Sequence, residues 1–398
     1  MPFTDAAPDL YSAEPIPAEA RAEIDRILQS GDLFRYNAAA TSPVALLERD
    51  FAERLGCRFA LAVTSCSSAL FLAMKALELP LGARVLVPAF TFAAVPSSVI
   101  HAGCIPVLVE CGADLRIDMD DFSSKLDDAD AVLISHMRGH TSDMDQIMAL
   151  AATRGLPVIE DAAHSLGTKW NEKNIGTIGR IGCFSFQSYK LMNGGEGGML
   201  VTDDAQLIAR AVIMSGAYEH NWRKHDLIAA EAEKLQNCLP LYNMRMNNLS
   251  AAVLRPQLKE LDRRILDGRH NHDYVAALLN TSPWLSVPAP LPPELRAPDS
   301  IQFALTGMSD AQMLTFADAA NVRGIPAQIF GRSENNARAF WNWNFLPEKY
   351  DLPKTRDMLL STCDVRLPAR LTPRELDAIA RILLDAALLA GQGRAYGT

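Results

Sequence analysis

The sequence predicts an α/β protein, with a large domain built on a mostly parallel central sheet flanked by helices, followed by a smaller C-terminal α+β domain. Three observations carry that expectation. Short apolar runs recur at 59–63, 85–88, 105–109, 131–134, 156–159 and 181–186, most of them separated by segments of helical length. That is the pattern of βαβ units around a buried parallel sheet. At 398 residues the chain can bury more than one core, enough for one large and one smaller domain. Beyond a stretch with six prolines at 283–298, the pattern changes to strand at 302–306, helix at 309–321 and strand at 325–330.

Composition narrows the function classes. Hydrophobic residues make up 49% and charged residues 21%, which excludes wholesale disorder. The net charge of −9 argues against a nucleic-acid partner, although a local field at a site can oppose the net charge. The seven cysteines, at 57, 66, 104, 111, 183, 238 and 363, show no C-x-x-C spacing. They fit small buried hydrophobes in a reducing cytoplasm. The start, MPFTDAAPDL, has no basic region followed by an apolar core, so no signal peptide is expected. Residues 85–109 carry no Asp, Glu, Lys or Arg, a length that suggests a membrane span. Pro88, Pro96, Gly103 and Pro106 instead divide it into strand, helix and strand.

In chain order, residues 1–16 form a Pro- and Ala-rich N-terminal arm, 17–255 the large domain and 256–398 the small one. Apolar spacing predicts helices at 18–28 and 44–55, the second capped by Gly56. Between them Arg35 sits among Phe34, Tyr36 and Asn37 on a loop. Thr64, Ser65, Cys66, Ser67 and Ser68 open an apolar helix, where hydroxyls serve as N-caps and free amides make an anion site. His136 and His140 stand four apart, but on a loop with Gly139, so no metal site is expected. A helix at 205–214 precedes a polar segment, 215–238, with few periodic apolar residues, expected to be a mobile excursion. A long helix at 248–280 should break or kink near Pro256, 283–298 reads as an exposed linker or irregular segment, and 375–389 as a terminal helix. The aromatic run 340–345 either seals the small domain against the large one, the favoured reading, or lines a substrate mouth.

The chemistry concentrates at 156–198. An apolar run, Leu156-Pro157-Val158-Ile159, ends on Glu160-Asp161, and carboxylates at the end of a buried parallel strand lie where such sheets bind ligands. A second run delivers Ser185 and then Lys190, and Gly194-Gly195-Glu196-Gly197-Gly198 closes the unit. A lysine for a Schiff base, a carboxylate facing a pyridine nitrogen and donors for a phosphate are what pyridoxal 5′-phosphate (PLP) needs.

The stretch Glu160-Asp161-Ala162-Ala163-His164, the pair Gly176 and Gly179, Phe184-Ser185-Phe186, Lys190 and Gly195-Glu196-Gly197-Gly198 match in order and spacing a known pattern. The chain thereby resembles the DegT/DnrJ/EryC1/StrS sugar aminotransferases, which are fold-type I PLP enzymes. The resemblance implies that Lys190 forms the Schiff base and shuttles a proton, that Asp161 faces the pyridine nitrogen, and that His164 packs near the ring. It further implies that Phe92 stacks on the ring, that Ser67, Ser68 and Ser185 contact the phosphate, and that Asn243 reaches the PLP phosphate of the other subunit in a homodimer. Cys66 stands where the family has glycine. Lysine at 190, where a dehydratase branch has histidine, argues for transamination.

The expected function is transfer of an amino group from glutamate or glutamine to a keto-sugar, taken to be nucleotide-linked, by ping-pong turnover. Two other expectations stand beside it. Phe34-Arg35-Tyr36-Asn37 and the region of Trp341 and Trp343 also resemble the branch that aminates a free eight-carbon ulosonic acid (8-amino-octulosonate type). A PLP-binding regulatory protein without turnover is the other. Arg35, Arg138 and the cluster His220, Arg223, Lys224 and His225 suggest an anionic substrate, Arg35 and Arg138 being its candidate contacts.

Overall fold

The structure, a computed structural model, describes residues 7–37, 41–333 and 336–393. In chain order its strands are β1 (Phe59–Val63), β2 (Arg84–Pro88), β3 (Ile105–Val109), β4 (Ala131–Ser135), β5 (Val158–Asp161), β6 (Lys169–Trp170) and β7 (Lys173–Asn174). There follow β8 (Ile181–Ser185), β9 (Gly198–Thr202), β10 (Leu285–Ser286), β11 (Glu294–Leu295), β12 (Ser300–Leu305), β13 (Gln328–Ile329) and β14 (Thr362–Arg366).

Seven of them form the central sheet, in the order β1-β9-β8-β5-β4-β2-β3. The pairs from β3 to β8 are parallel, and β9 alone runs against its neighbours. Alternate strand residues therefore feed two separate cores. Leu61, Val85, Val87, Ala131 and Leu133 pack on one face with the helices Cys66–Ala76, Ala94–His101 and Ala205–Gly216. Ala62, Leu86, Val132 and Ile134 pack on the other with Pro43–Leu55, Met144–Thr153 and Asn248–Leu254. This is the period of two of a pleated strand buried on both sides.

The region 85–109 is strand, helix and strand, as its prolines predict. No helix among the described residues is long and apolar enough to cross a membrane. The predicted long helix breaks as expected, into Asn248–Leu254, a 3₁₀ stretch Arg255–Glu260 containing Pro256, and Leu261–Leu279. A second, antiparallel sheet, β10-β12-β14-β13, carries a third core with Asp310–Val322 and Pro373–Gly391. Leu10 of the N-terminal segment is buried in that core.

Two expectations are corrected. The segment 215–238 contains a helix, Ala229–Leu235, and buries Trp222, Ile228 and Ala232 in the core. The buried apolar side chains are few and irregularly spaced, with Leu227 left exposed, so a search for periodicity misses them. Of the two readings of 283–298, the exposed linker is corrected: the stretch is largely irregular but packed. It contributes β10 and β11, and buried Glu294 pairs with Arg116 (2.7 Å) and Arg296 (3.2 Å). Proline there removes donors from short edge pairings, which a strand at a sheet margin tolerates. Phe340 and Trp343 lie in the core of the large domain, which supports the sealing role.

Candidate active site

Five parallel-running strands end at the same edge of the central sheet, and the residues just beyond them meet there. Ser65 to Ser67 follow β1, Phe92 follows β2, Met137 and Arg138 follow β4, Asp161 closes β5, and Ser185 closes β8. All of them line one cavity of about 580 Å³. Its size is within the range of small-molecule sites.

Glu160 and Asp161, adjacent on β5, point to opposite faces and do different work. Asp161 faces the cavity and is 5% exposed. Ser135 is its register partner on β4, and donates to its Oδ2 at 2.8 Å. Buried Thr91 in turn donates to Ser135 at 2.8 Å. The Ala163 amide donates to Oδ1 at 3.1 Å. These donors fix the plane of the carboxylate. Glu160 points away, and accepts from the amides of Gly176 (2.8 Å), Ile178 (2.7 Å) and Gly179 (2.6 Å), with His136 Nε2 at 3.1 Å. Its task is to hold the 176–179 loop, which explains why the acid pair and the G-x-x-G occur together.

Lys190 lies on the turn after β8, its Nζ 2.8 Å from His164 Nε2. Burial, with a smaller push from Arg138, brings its pKa down to about 8 against the opposing pull of Asp299 and Asp161. Burial likewise holds His164 well below the usual histidine range, helped by Lys190 and by Arg138, Arg338 and Arg366. A largely neutral imidazole beside a readily deprotonated amine results. On the opposite side the helix Cys66–Ala76 begins with Ser65 accepting from the Ser68 amide at 3.0 Å. Gly198 permits this packing: a Cβ there would lie 2.3 Å from the Ser65 carbonyl carbon.

These residues fit PLP. Asp161 supplies an anion for a pyridinium, Lys190 an amine, and Ser67, Ser185 and the first-turn amides donors for a phosphate. Phe92 lines the cavity yet is 50% exposed, which leaves a ring face open for stacking. The Cys66 thiol, pushed up by burial and then by Asp161, lies 3.7 Å from Asp161 Oδ1. At position 66, then, a neutral SH replaces open space beside the carboxylate.

The structure does not bring every expected residue into the cavity. The Ser68 hydroxyl is engaged by Thr64 and Ser65, both at 2.9 Å, and does not line the cavity. Asn243 is exposed outside it. Arg35 is corrected as a substrate contact. Its guanidinium is buried and forks onto Glu48 with two 2.8 Å bonds, a pair that fixes the strand-helix packing instead. Of the 220–225 cluster, His225 bonds Tyr36 at 3.0 Å and Lys224 the Tyr36 carbonyl, away from the cavity. Arg138 does line it, in a left-handed conformation (φ 55°), and pairs with Asp364. His140 holds Gln302 at 2.8 Å, and Gln302 holds Asp364 at 2.8 Å.

Sequence reasoning missed Ser135, Thr91, Arg338, Asp364, Arg366, Tyr11 and Tyr189. The first two were within reach, since strand register predicts a neighbour for Asp161. The others come from the N-terminal segment, the turn after β8 and the small domain, with no local motif to mark them.

Comparison with known proteins agrees with this geometry. The family model described as the DegT/DnrJ/EryC1/StrS aminotransferase family matches residues 15–384. The chain is 35% identical over 256 residues to the spore coat polysaccharide biosynthesis protein SpsC of Bacillus subtilis, a match covering 63% of this chain and 64% of that protein. It is 30% identical to 3-amino-5-hydroxybenzoate synthase of Amycolatopsis mediterranei, over 91% of this chain and 93% of the relative. A crystal structure of a 3-amino-5-hydroxybenzoic acid synthase superposes with a TM-score of 0.82 at 27% identity, covering 96% of this chain and 99% of the other.

Proposed function

We propose, since the chain belongs to the DegT/DnrJ/EryC1/StrS aminotransferase family, that it moves an amino group from glutamate or glutamine onto a keto-sugar within one cavity. It is a PLP-dependent aminotransferase; donor, acceptor and assembly are the proposed part. The observation that carries the reading is the facing pair of a hydroxyl-braced Asp161 and a Lys190 with its pKa near 8. Bound PLP supplies an electron sink that acidifies the substrate's α-hydrogen.

The chain's own residues do the rest. Asp161, fixed by Ser135 and the Ala163 amide, would accept a hydrogen bond from the ring nitrogen of bound PLP through its carboxylate. Such a charge-assisted hydrogen bond is typically worth ~1.5–3 kcal/mol. Lys190, half neutral near pH 8, can take a proton and return it at an adjacent carbon, the task of a general base tuned close to working pH. His164, kept neutral, accepts from the amine and steers it without competing for charge. Phe92 and Ala163 line the cavity and would flank the ring of bound PLP. Donor and acceptor share the cavity and bind in turn, which gives ping-pong kinetics.

The functional unit in this reading is a homodimer with shared sites. Support comes from Asn243, which is exposed outside the cavity of its own chain, as a residue serving a neighbour would be. The test of function is to convert the enzyme to its amino form with glutamate or glutamine, then add keto-sugars, free and nucleotide-linked. Return of the yellow band with a keto-sugar and formation of an amino sugar are expected. Failure of both donors to bleach the band would refute it.

A further inference from the structure

Cys66 stands in the cavity wall beside Asp161, at a position where the family has glycine. It is the first residue of the helix Cys66–Ala76, directly behind the cap made by Ser65. Gly198 of β9 presses on the backbone there: a Cβ at 198 would lie 2.6 Å from the Cys66 amide nitrogen. The backbone of Cys66 therefore has little room to shift, and its thiol lies 3.7 Å from Asp161 Oδ1. Burial, and then Asp161, push that thiol well above its ordinary range. It keeps its proton, and toward the carboxylate it acts as a donor.

A carboxylate offers about four acceptor sites, two on each oxygen. On Asp161 Oδ1 both are taken, one by the Ala163 amide at 3.1 Å and one by Cys66. On Oδ2 the Ser135 hydroxyl takes one, at 2.8 Å. Among the described residues no further donor reaches Oδ2, which leaves it one open site. We propose that Cys66 is a positioning residue for the cofactor: by filling the second site of Oδ1, it directs the ring nitrogen of bound PLP to the open site of Oδ2. Glycine at 66 would leave a free site on each oxygen, and the ring nitrogen two places to dock. Cys66 thus acts on the ring through Asp161 and the count of its acceptor sites. The inference rests on PLP occupying the cavity; donor and acceptor play no part in it.

The test strips the PLP-loaded enzyme, parent and variants, and reloads it by equilibrium dialysis with PLP or with its 1-deaza analogue, in which a CH replaces the ring nitrogen. In Cys66→Ala the Kd for PLP should rise roughly three- to tenfold, the size of one modest hydrogen bond, and the Kd for the analogue by less than about twofold. Cys66→Ser, which restores a donor, should bind PLP within about twofold of the parent. Cys66→Gly should match Cys66→Ala for PLP, so the comparison survives if one of the two fails to fold. A side chain that only packs would affect both cofactors alike. Equal loss for PLP and the analogue, a Cys66→Ala protein that binds PLP like the parent, or a Cys66→Ser protein as weak as Cys66→Ala would overturn the inference. A parent that does not prefer PLP to the analogue would show that Asp161 does not meet the ring nitrogen, and the inference would fall with it. Bleaching by glutamate or glutamine is read separately. Its failure would remove the reaction assignment and leave the cofactor comparison standing.

Discussion

At the scale of single residues, the site is a matter of one amine and one carboxylate, each set by its surroundings. Only neutral Lys190 attacks an aldehyde, and burial places its pKa near 8 where a free lysine titrates at about 10.4. Attachment of PLP to the cofactor-free protein should therefore accelerate with pH and reach half its plateau near pH 8, followed by absorbance in rapid mixing. A midpoint near pH 10 would contradict this. Arg138→Gln removes a repelling charge, so its midpoint should move upward. Ser135→Ala deletes a donor to the Asp161 carboxylate. A loss of ~1.5–3 kcal/mol in PLP affinity is expected, roughly 10- to 150-fold in Kd by equilibrium dialysis. Lys190 and Asp161 were legible in the sequence because their spacing is set by a local strand-turn-strand unit. Arg366 was not, because it reaches the cavity from β14, in the small-domain sheet.

At the scale of elements, the edge of the central sheet does the gathering, and Glu160 anchors its loop. That buried carboxylate satisfies three backbone amides and His136 at once. Glu160→Ala should cost about 3–5 kcal/mol of stability, seen as a lower urea midpoint. A variant as stable as the parent would mean that the 176–179 loop is held by other contacts. The elements most readable from sequence were those with continuous apolar runs, such as β1 and β4, whose partners are buried on both faces. The segment 215–238 and the proline-rich 283–298 resisted because their order comes from tertiary packing: Trp222 in the core, and Glu294 between Arg116 and Arg296. Arg35 misled for a related reason. A cation among aromatics on a loop reads as a binding group until its buried partner, Glu48, 13 residues on, is seen.

At the scale of the whole molecule, the cavity is a joint product of both domains and of the N-terminal segment. Arg370 holds the Ser12 carbonyl at 3.1 Å, Leu10 is buried beneath, and Tyr11 thereby reaches the cavity mouth. If sites are shared between subunits, mixing Asn243→Ala with Lys190→Ala protein should restore part of the activity that Lys190→Ala alone lacks. Mixed dimers keep one site with both residues intact; no gain over the simple sum of the two variants would argue for self-contained sites. The central claim, that Lys190 carries the cofactor and yields it to an amino donor, has a direct measurement. The PLP-loaded enzyme is reduced with borohydride, digested and mapped by mass spectrometry, with and without prior glutamate or glutamine. The account requires the pyridoxyl mass on the peptide containing Lys190, and its disappearance after treatment with a donor. A label on another lysine, or one that neither donor removes, would contradict it.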